Sequence, residues 1–245
     1  MIKAMILAVQ FLTRLPINIG VDWNRENLRK STFYFPFVGL LIGLIAYGVN
    51  YLFSYINQDV AAVFTVLALI VVTGGLHLDG LSDTCDGFFS NKDRETILDI
   101  MQDSRVGAFG VIGLIIVLLL KYVLIKNLGD GSFIFLVFSL GNSRAVQVFN
   151  LAFKKPARES GIGYMFRISK PDQMALMGIV LYIILISYVD YRILIPLAVN
   201  FLFMELLSHY SMKKIGGLTG DVLGTMAELG EVVSLITFLG VSQWI

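Results

Sequence analysis

Seven apolar runs limit what this chain can become. They lie at about residues 33–56, 60–78, 106–126, 133–152, 174–189, 193–211 and 221–242. Most approach or reach the ~20 residues an α-helix needs to cross a hydrocarbon core. Inside lipid every backbone N–H and C=O has to be satisfied within the segment, which a helix does alone. Charged residues are only 15% of the 245, against about 25% in soluble domains. The expected fold is all-α: a polytopic integral membrane helical bundle of about seven transmembrane helices, one catalytic domain over residues 1–245. Residues 4–17 are predicted as an amphipathic, interfacial helix. Arg14 and Pro16 interrupt its apolar run and no cleavage site follows. Gly39, Gly43 and Gly48 in the first span read as packing positions. They permit a homo-oligomer without requiring one.

Lysine and arginine fix the orientation. With the N-terminus inside, 15 of the 19 fall in inner segments, Lys121, Lys126 and Arg192 fall outside, and Arg144 lies within a span. The expected location is a prokaryotic cytoplasmic (inner) membrane, with the N-terminus and the active site on the cytoplasmic side. A net charge of +1 and the lack of a basic patch interleaved with aromatics give no sign of nucleic acid. Cys85, the lone cysteine, excludes an internal disulfide and a cysteine-based zinc site.

The chemistry concentrates in two stretches. The first is Gly74-Gly75-Leu76-His77-Leu78-Asp79-Gly80-Leu81-Ser82-Asp83-Thr84-Cys85-Asp86-Gly87. Asp79, Asp83 and Asp86 are spaced i, i+4, i+7, which places them on one helix face. Like charges so arranged repel, and a divalent cation would compensate them. Hard cations take carboxylate oxygens and keep room for substrate phosphates, so this face reads as a Mg²⁺–phosphate site. A solvated acidic loop accounts for Asp93, Glu95 and Asp99 but poorly for the spaced triplet. Cys85 points away from the triplet by helical phase, toward packing.

The second stretch runs from Gly216 to Glu231. Its glycines suit a turn that approaches an anion beside a helix N-terminus, with Thr219 and Gly220 in contact with substrate. Asp221, Glu228 and Glu231 then enter a span, where carboxylates are costly and by default functional. The alternative is that these acids serve helix packing, satisfied by Arg144 or water. Elsewhere, Asp103 is a candidate for the metal shell and Arg105 for a phosphate, with helix capping and membrane anchoring as the rival readings. Ser143-Arg144 lies in mid-span, where an arginine needs a carboxylate or a phosphate. Gly161 and Gly163 sit in a basic connection long enough to fold over a substrate. His77 is a base, a phosphate donor or a capping residue. His209 reads as a membrane-interface residue, and Glu205 as a partner of Lys213, Lys214 or Arg144.

These residues together resemble the cobalamin synthase family (adenosylcobinamide-GDP ribazoletransferase, or cobalamin-5′-phosphate synthase). The resemblance covers nearly the whole chain. It rests on Phe11-Leu12-Thr13-Arg14-Leu15-Pro16, Tyr34-Phe35-Pro36-Phe37-Val38-Gly39 with Gly43, the Gly75 to Gly87 run, and Asp103-Ser104-Arg105-Val106-Gly107. Ser143-Arg144-Ala145, Gly161-Ile162-Gly163 with Phe166, and the Gly217 to Glu231 segment complete it. Cys85 and Gln102 stand where a small residue and a lysine are expected. The resemblance implies a Mg²⁺-dependent transferase of cobalamin biosynthesis. It joins adenosylcobinamide-GDP to α-ribazole or its 5′-phosphate and releases GMP. On this reading Asp79, Asp83 and Asp86 hold Mg²⁺, with Asp103 or Asp221 completing the shell. Arg105 and Arg144 carry phosphate charge, with Ser143, Gly161, Gly163, Thr219, Gly220, Glu228 and Glu231 also at the substrate. The base is Asp83 or Asp221, with His77 as rival.

Asp83-Thr84-Cys85-Asp86-Gly87 also matches the opening of the CDP-alcohol phosphotransferase signature, but its continuation is missing. An intramembrane prenyltransferase would need a second aspartate-rich motif. A cation transporter, with Glu205, Asp221, Glu228 and Glu231 as ligands, is disfavoured because no internal repeat is present.

Overall fold

The computed structural model describes residues 1–129 and 132–242. Among these residues it is helical, with α1 (Ile2–Leu12), α2 (Arg25–Ser31), α3 (Phe35–Ser54), α4 (Gln58–Thr73), α5 (Leu76–Phe89) and α6 (Arg94–Ile100). There follow α7 (Ala108–Lys126), α8 (Ser132–Phe153), α9 (Gly161–Ile168), α10 (Asp172–Asp190), α11 (Leu194–Ile215) and α12 (Gly220–Ser242). The protein is a polytopic helical membrane protein, and six of the predicted apolar runs centre on one helix each, α3, α7, α8, α10, α11 and α12, while the run 60–78 covers α4 and enters α5. Length and composition do not carry the count of seven crossings. Five apolar helical stretches are long enough, or six if α4 and α5 are one bent span. The helices α10 and α11 form one stretch of 44 residues, interrupted by the 3₁₀ turn Tyr191–Ile193. Helix α4 has 16 residues, about 24 Å at ~1.5 Å per residue, short of a ~30 Å core.

The predicted span 60–78 ends early for a local reason. Gly74 and Gly75 are both left-handed, with φ of 64° and 70°, a conformation that glycine adopts without steric cost. The pair turns the chain by 92° between α4 and α5. The side chain of Arg14 lies where a Cβ on Gly74 would project, 2.5 Å from Arg14 Nε. The Arg14 N–H donates to the Val72 carbonyl at 2.6 Å. The helix expected over 4–17 therefore stops at Leu12, and the residues after it brace the bend. Ala4, Leu7, Ala8 and Leu12 form its buried stripe.

Close helix approach explains two of the three glycines in α3. A Cβ on Gly39 would come within 2.5 Å of the Leu140 carbonyl oxygen, and one on Gly43 within 2.6 Å of Val137 Cα, so α3 lies hard against α8. Gly48 faces open space. Helix α12 packs on α5, α7, α8 and α11. Its contact with α5 is nearly backbone to backbone, because a Cβ on Gly80 would sit 2.8 Å from the Asp221 carbonyl. Thr225 Oγ1 donates to the Gly80 carbonyl at 3.1 Å. This crossing brings the two acidic stretches together.

Candidate active site

The basic connection after α8 is pinned to the turn before α12. Residues Pro156 and Leu218 form a parallel bridge. The Ala157 N–H donates to the Leu218 carbonyl and the Leu218 N–H to the Lys155 carbonyl, each at 2.9 Å. Gly217 has no room for a side chain there, since its Cβ would lie 2.5 Å from Ala157 N. Arg94 of α6 bonds both strands of chain, through Nε to the Ile215 carbonyl at 2.8 Å and Nη2 to the Ala157 carbonyl at 2.9 Å. The segment thus held delivers Arg158, whose Nη2 lies 3.2 Å from Asp221 Oδ2, and then α9.

These elements enclose a cleft of about 160 Å³. One wall carries His77, Asp79 and Gly80 from α5. Another carries Gly220 and Asp221 from α12, and the third carries Arg158, Ser160, Gly161 and Gly163. Phe11, Phe35 and Phe166 close the apolar side, with Phe11 and Phe166 ring centres 5.0 Å apart. The starts of α9 and α12 meet here. A Cβ on Gly163 would lie 3.2 Å from Gly220 N. Two helix N-termini therefore bring N–H groups and positive dipole ends to one place, which favours an anion.

His77 is buried at 3% exposure. Its Nε2 lies 3.0 Å from the amide nitrogen of Gln147, which also donates to the Leu223 carbonyl at 3.1 Å. An amide nitrogen only donates, so His77 Nε2 accepts and the proton sits on Nδ1. Nδ1 has no hydrogen-bond partner among the described residues. In this tautomer His77 is a donor.

The structure brings together some of the predicted residues and separates others. His77, Asp79, Gly161, Gly163, Gly220 and Asp221 line the cleft. Asp83 is not among the residues that line it, but is close enough to feel the charges of Asp79, Asp221 and Asp86. Thr219 is buried and its Oγ1 accepts from the Val222 N–H at 3.2 Å, starting α12.

Asp86, predicted as a metal ligand, is occupied otherwise. Its Oδ2 accepts from the Gly107 N–H at 2.7 Å and its Oδ1 from the Gly110 N–H at 2.9 Å, so it caps α7 from a neighbouring helix. Asp86→Asn is expected to cost about 1–2 kcal/mol of stability while turnover per folded molecule persists, as thermal unfolding beside an activity assay would measure. Asp103 and Arg105 lie away from the cleft and pair with each other, Nη2 to Oδ2 at 2.5 Å. The guanidinium holds the Asp103 carboxyl down at about 2, so that pairing is complete above about pH 4 and is lost as the pH falls through 2.

Ser143, Arg144, Glu228 and Glu231 do not line the cleft either. They form a buried network with Lys121, which the positive-inside count had put on the outer side. Lys121 Nζ lies 2.5 Å from both Glu228 Oε2 and Glu231 Oε2. Arg144 Nη2 lies 3.0 Å from Glu231 Oε1, and Arg144 Nη1 donates to Ser143 Oγ at 3.0 Å. The packing alternative for these acids matches this arrangement. Glu205 pairs with Lys154 at 2.5 Å instead of the partners expected for it.

The family model described as cobalamin-5-phosphate synthase matches residues 4–239. The chain belongs to the cobalamin-5-phosphate synthase family. Its relatives include the adenosylcobinamide-GDP ribazoletransferase of Clostridium botulinum (strain Langeland), 39% identical over 241 residues and 96% of each chain. The enzyme of that name from Caldanaerobacter subterraneus is 37% identical, covering 97% of this chain and 98% of its own. The one from Treponema denticola is 35% identical over 96% of each. No solved structure matches the chain.

Within this family frame, the cleft can be tested against a divalent cation. No group of three or more His, Cys, Asp or Glu among the described residues stands ready to hold a metal ion. Two carboxylates, Asp79 and Asp221, do line the cleft. Mg²⁺ is commonly held by one or two carboxylates plus substrate phosphates, without an all-protein cage, and this donor set fits that mode.

Arg158, Gln147 and Ser160 are cleft residues that sequence reasoning missed. Arg158 counted there only as one of a run of basic loop residues. Its approach to Asp221 depends on a backbone bridge that joins residues 156 and 218.

Proposed function

We propose that this protein joins adenosylcobinamide-GDP to α-ribazole or α-ribazole 5′-phosphate, giving adenosylcobalamin or its 5′-phosphate and GMP, in a Mg²⁺-dependent reaction late in cobalamin synthesis. The observation that carries the proposal is the meeting of Asp79 and Asp221, from two distant acidic stretches, with Arg158 and two helix N-termini at one cleft. The relatives' names supply the substrates. With Lys121 withdrawn into the bundle, only Lys126 and Arg192 remain on the outer side, which strengthens the case for a cytoplasmic cleft.

In the reaction, a ribose hydroxyl oxygen of α-ribazole bonds to the phosphorus on the cobinamide side of the diphosphate. The bond from that phosphorus to the bridging oxygen breaks, and GMP leaves with it. Such a transfer asks for alignment and neutralised charge. Asp79 and Asp221 would hold Mg²⁺ together with the diphosphate. When bound, the ion neutralises phosphate charge and aligns the oxygens. The N–H groups at the starts of α9 and α12 bind phosphate oxygens, and His77 donates from Nδ1. The hydroxyl proton goes to a carboxylate oxygen of Asp83, whose side chain makes no hydrogen bond or ion pair among the described residues and is free to accept. The phenylalanine wall keeps water from the reacting phosphate.

The test uses detergent-purified protein with adenosylcobinamide-GDP and α-ribazole 5′-phosphate. GMP and the cobamide product are expected in equal amounts with Mg²⁺ present, and neither after chelation by EDTA. Folded protein that forms no GMP would refute the proposal.

A further inference from the structure

Arg158 holds an uneven position. One amino group, Nη2, bonds Asp221 at 3.2 Å, a long single contact for an ion pair. The other, Nη1, is shut off from solvent and has no partner among the described residues. A guanidinium normally grips a carboxylate through two parallel bonds, and here only one forms. The backbone beside it cannot adapt, since the bridge of Pro156 with Leu218 and the two bonds from Arg94 fix it. Only the side chain is free to turn, and the cleft lies in front of it.

We propose that Arg158 is an exchanging substrate-binding residue: it covers the Asp221 carboxylate in the free protein and transfers to a phosphate oxygen of the substrate when a divalent cation takes Asp221. The inference rests on the proposed diphosphate chemistry and adds an order of events to it. A cation and a guanidinium compete for the same carboxylate oxygen. Binding of the cation alone must displace Arg158 into a site with no anion. Binding of cation and diphosphate together gives Arg158 a new partner and supplies the bond that Nη1 lacks. The protein should therefore hold its metal weakly until substrate arrives, which couples metal and substrate binding.

The decisive experiment measures binding without turnover, on the full chain in detergent and with no acceptor nucleoside present. Mn²⁺ is followed by the electron paramagnetic resonance of the free ion. Adenosylcobinamide-GDP is followed by equilibrium dialysis. Arg158→Gln is expected to tighten Mn²⁺ binding to the substrate-free protein about tenfold and to weaken adenosylcobinamide-GDP binding about tenfold or more. Arg158→Lys should recover part of the substrate affinity. These opposite signs are not produced by a general loss of fold, which weakens both. Unchanged Mn²⁺ affinity in Arg158→Gln, or weakening of both ligands, would overturn the exchange. Wild-type protein that binds neither ligand would overturn the diphosphate reading along with it.

Discussion

Asp221→Asn is expected to lower the rate of GMP formation about a thousandfold, since a carboxylate that holds a catalytic cation is worth several kcal/mol at the transition state and ~1.4 kcal/mol is a factor of ten. Asp79→Asn should fall by a similar factor. Neither change should unfold the protein. Asp79 is exposed, and Asp221 is held by one long contact with Arg158 and by the Thr219 side chain, which an asparagine can still engage, so little native structure depends on either charge. Asp103→Asn, on the same acidic segment but outside the cleft, should leave the rate within about twofold of wild type. Single-turnover rates for the three variants, each checked by size-exclusion chromatography, would measure this contrast. The loss should appear in the chemical step, because the two aspartates act on the charge that develops as the diphosphate breaks.

Lys121→Met is expected to have the opposite profile, with severe loss of folded protein. Lys121 neutralises Glu228 and Glu231 from 2.5 Å, and all three side chains are 4% exposed or less. Removing one partner of a buried charge group leaves an uncompensated charge and costs about 3–5 kcal/mol. Arg144 can still serve Glu231 at 3.0 Å, which leaves Glu228 as the orphan. Lys121→Met combined with Glu228→Gln restores neutrality and should recover more than half of the lost stability. Thermal unfolding in detergent would compare the single and double variants. Folded double variant should retain turnover, since neither residue lines the cleft.

The helices were easy to read because nearly every apolar run centres on one helix and lipid leaves the backbone few other options; the run 60–78, which crosses from α4 into α5, is the exception. The Gly74-Gly75 turn was visible as a glycine pair, but its angle was not, because it depends on Arg14 packing behind it. The aspartate spacing read Asp86 as a ligand alongside Asp79 and Asp83, while the structure gives its carboxylate backbone partners on α7. Helical phase cannot distinguish a ligand from a residue that caps the next helix, and the acceptors' partners, Gly107 and Gly110, lie over twenty residues away. Lys121 looked like an end anchor because it stands a few residues from the close of its run. Its true level appears only when α7 is set against α12. Arg158 was hidden for the same kind of reason. Its role is created by the pairing of Pro156 with Leu218, a non-local contact without periodicity.

The most direct measurement is the position of a divalent ion in the substrate complex. Crystals of the protein with adenosylcobinamide-GDP and Mn²⁺, measured for anomalous scattering at the manganese edge, would locate it. A manganese peak is expected between Asp79 and Asp221, with the diphosphate against the starts of α9 and α12 and Arg158 turned onto a phosphate oxygen. A peak at Asp86 or Asp103, or a diphosphate bound outside this cleft, would contradict this arrangement.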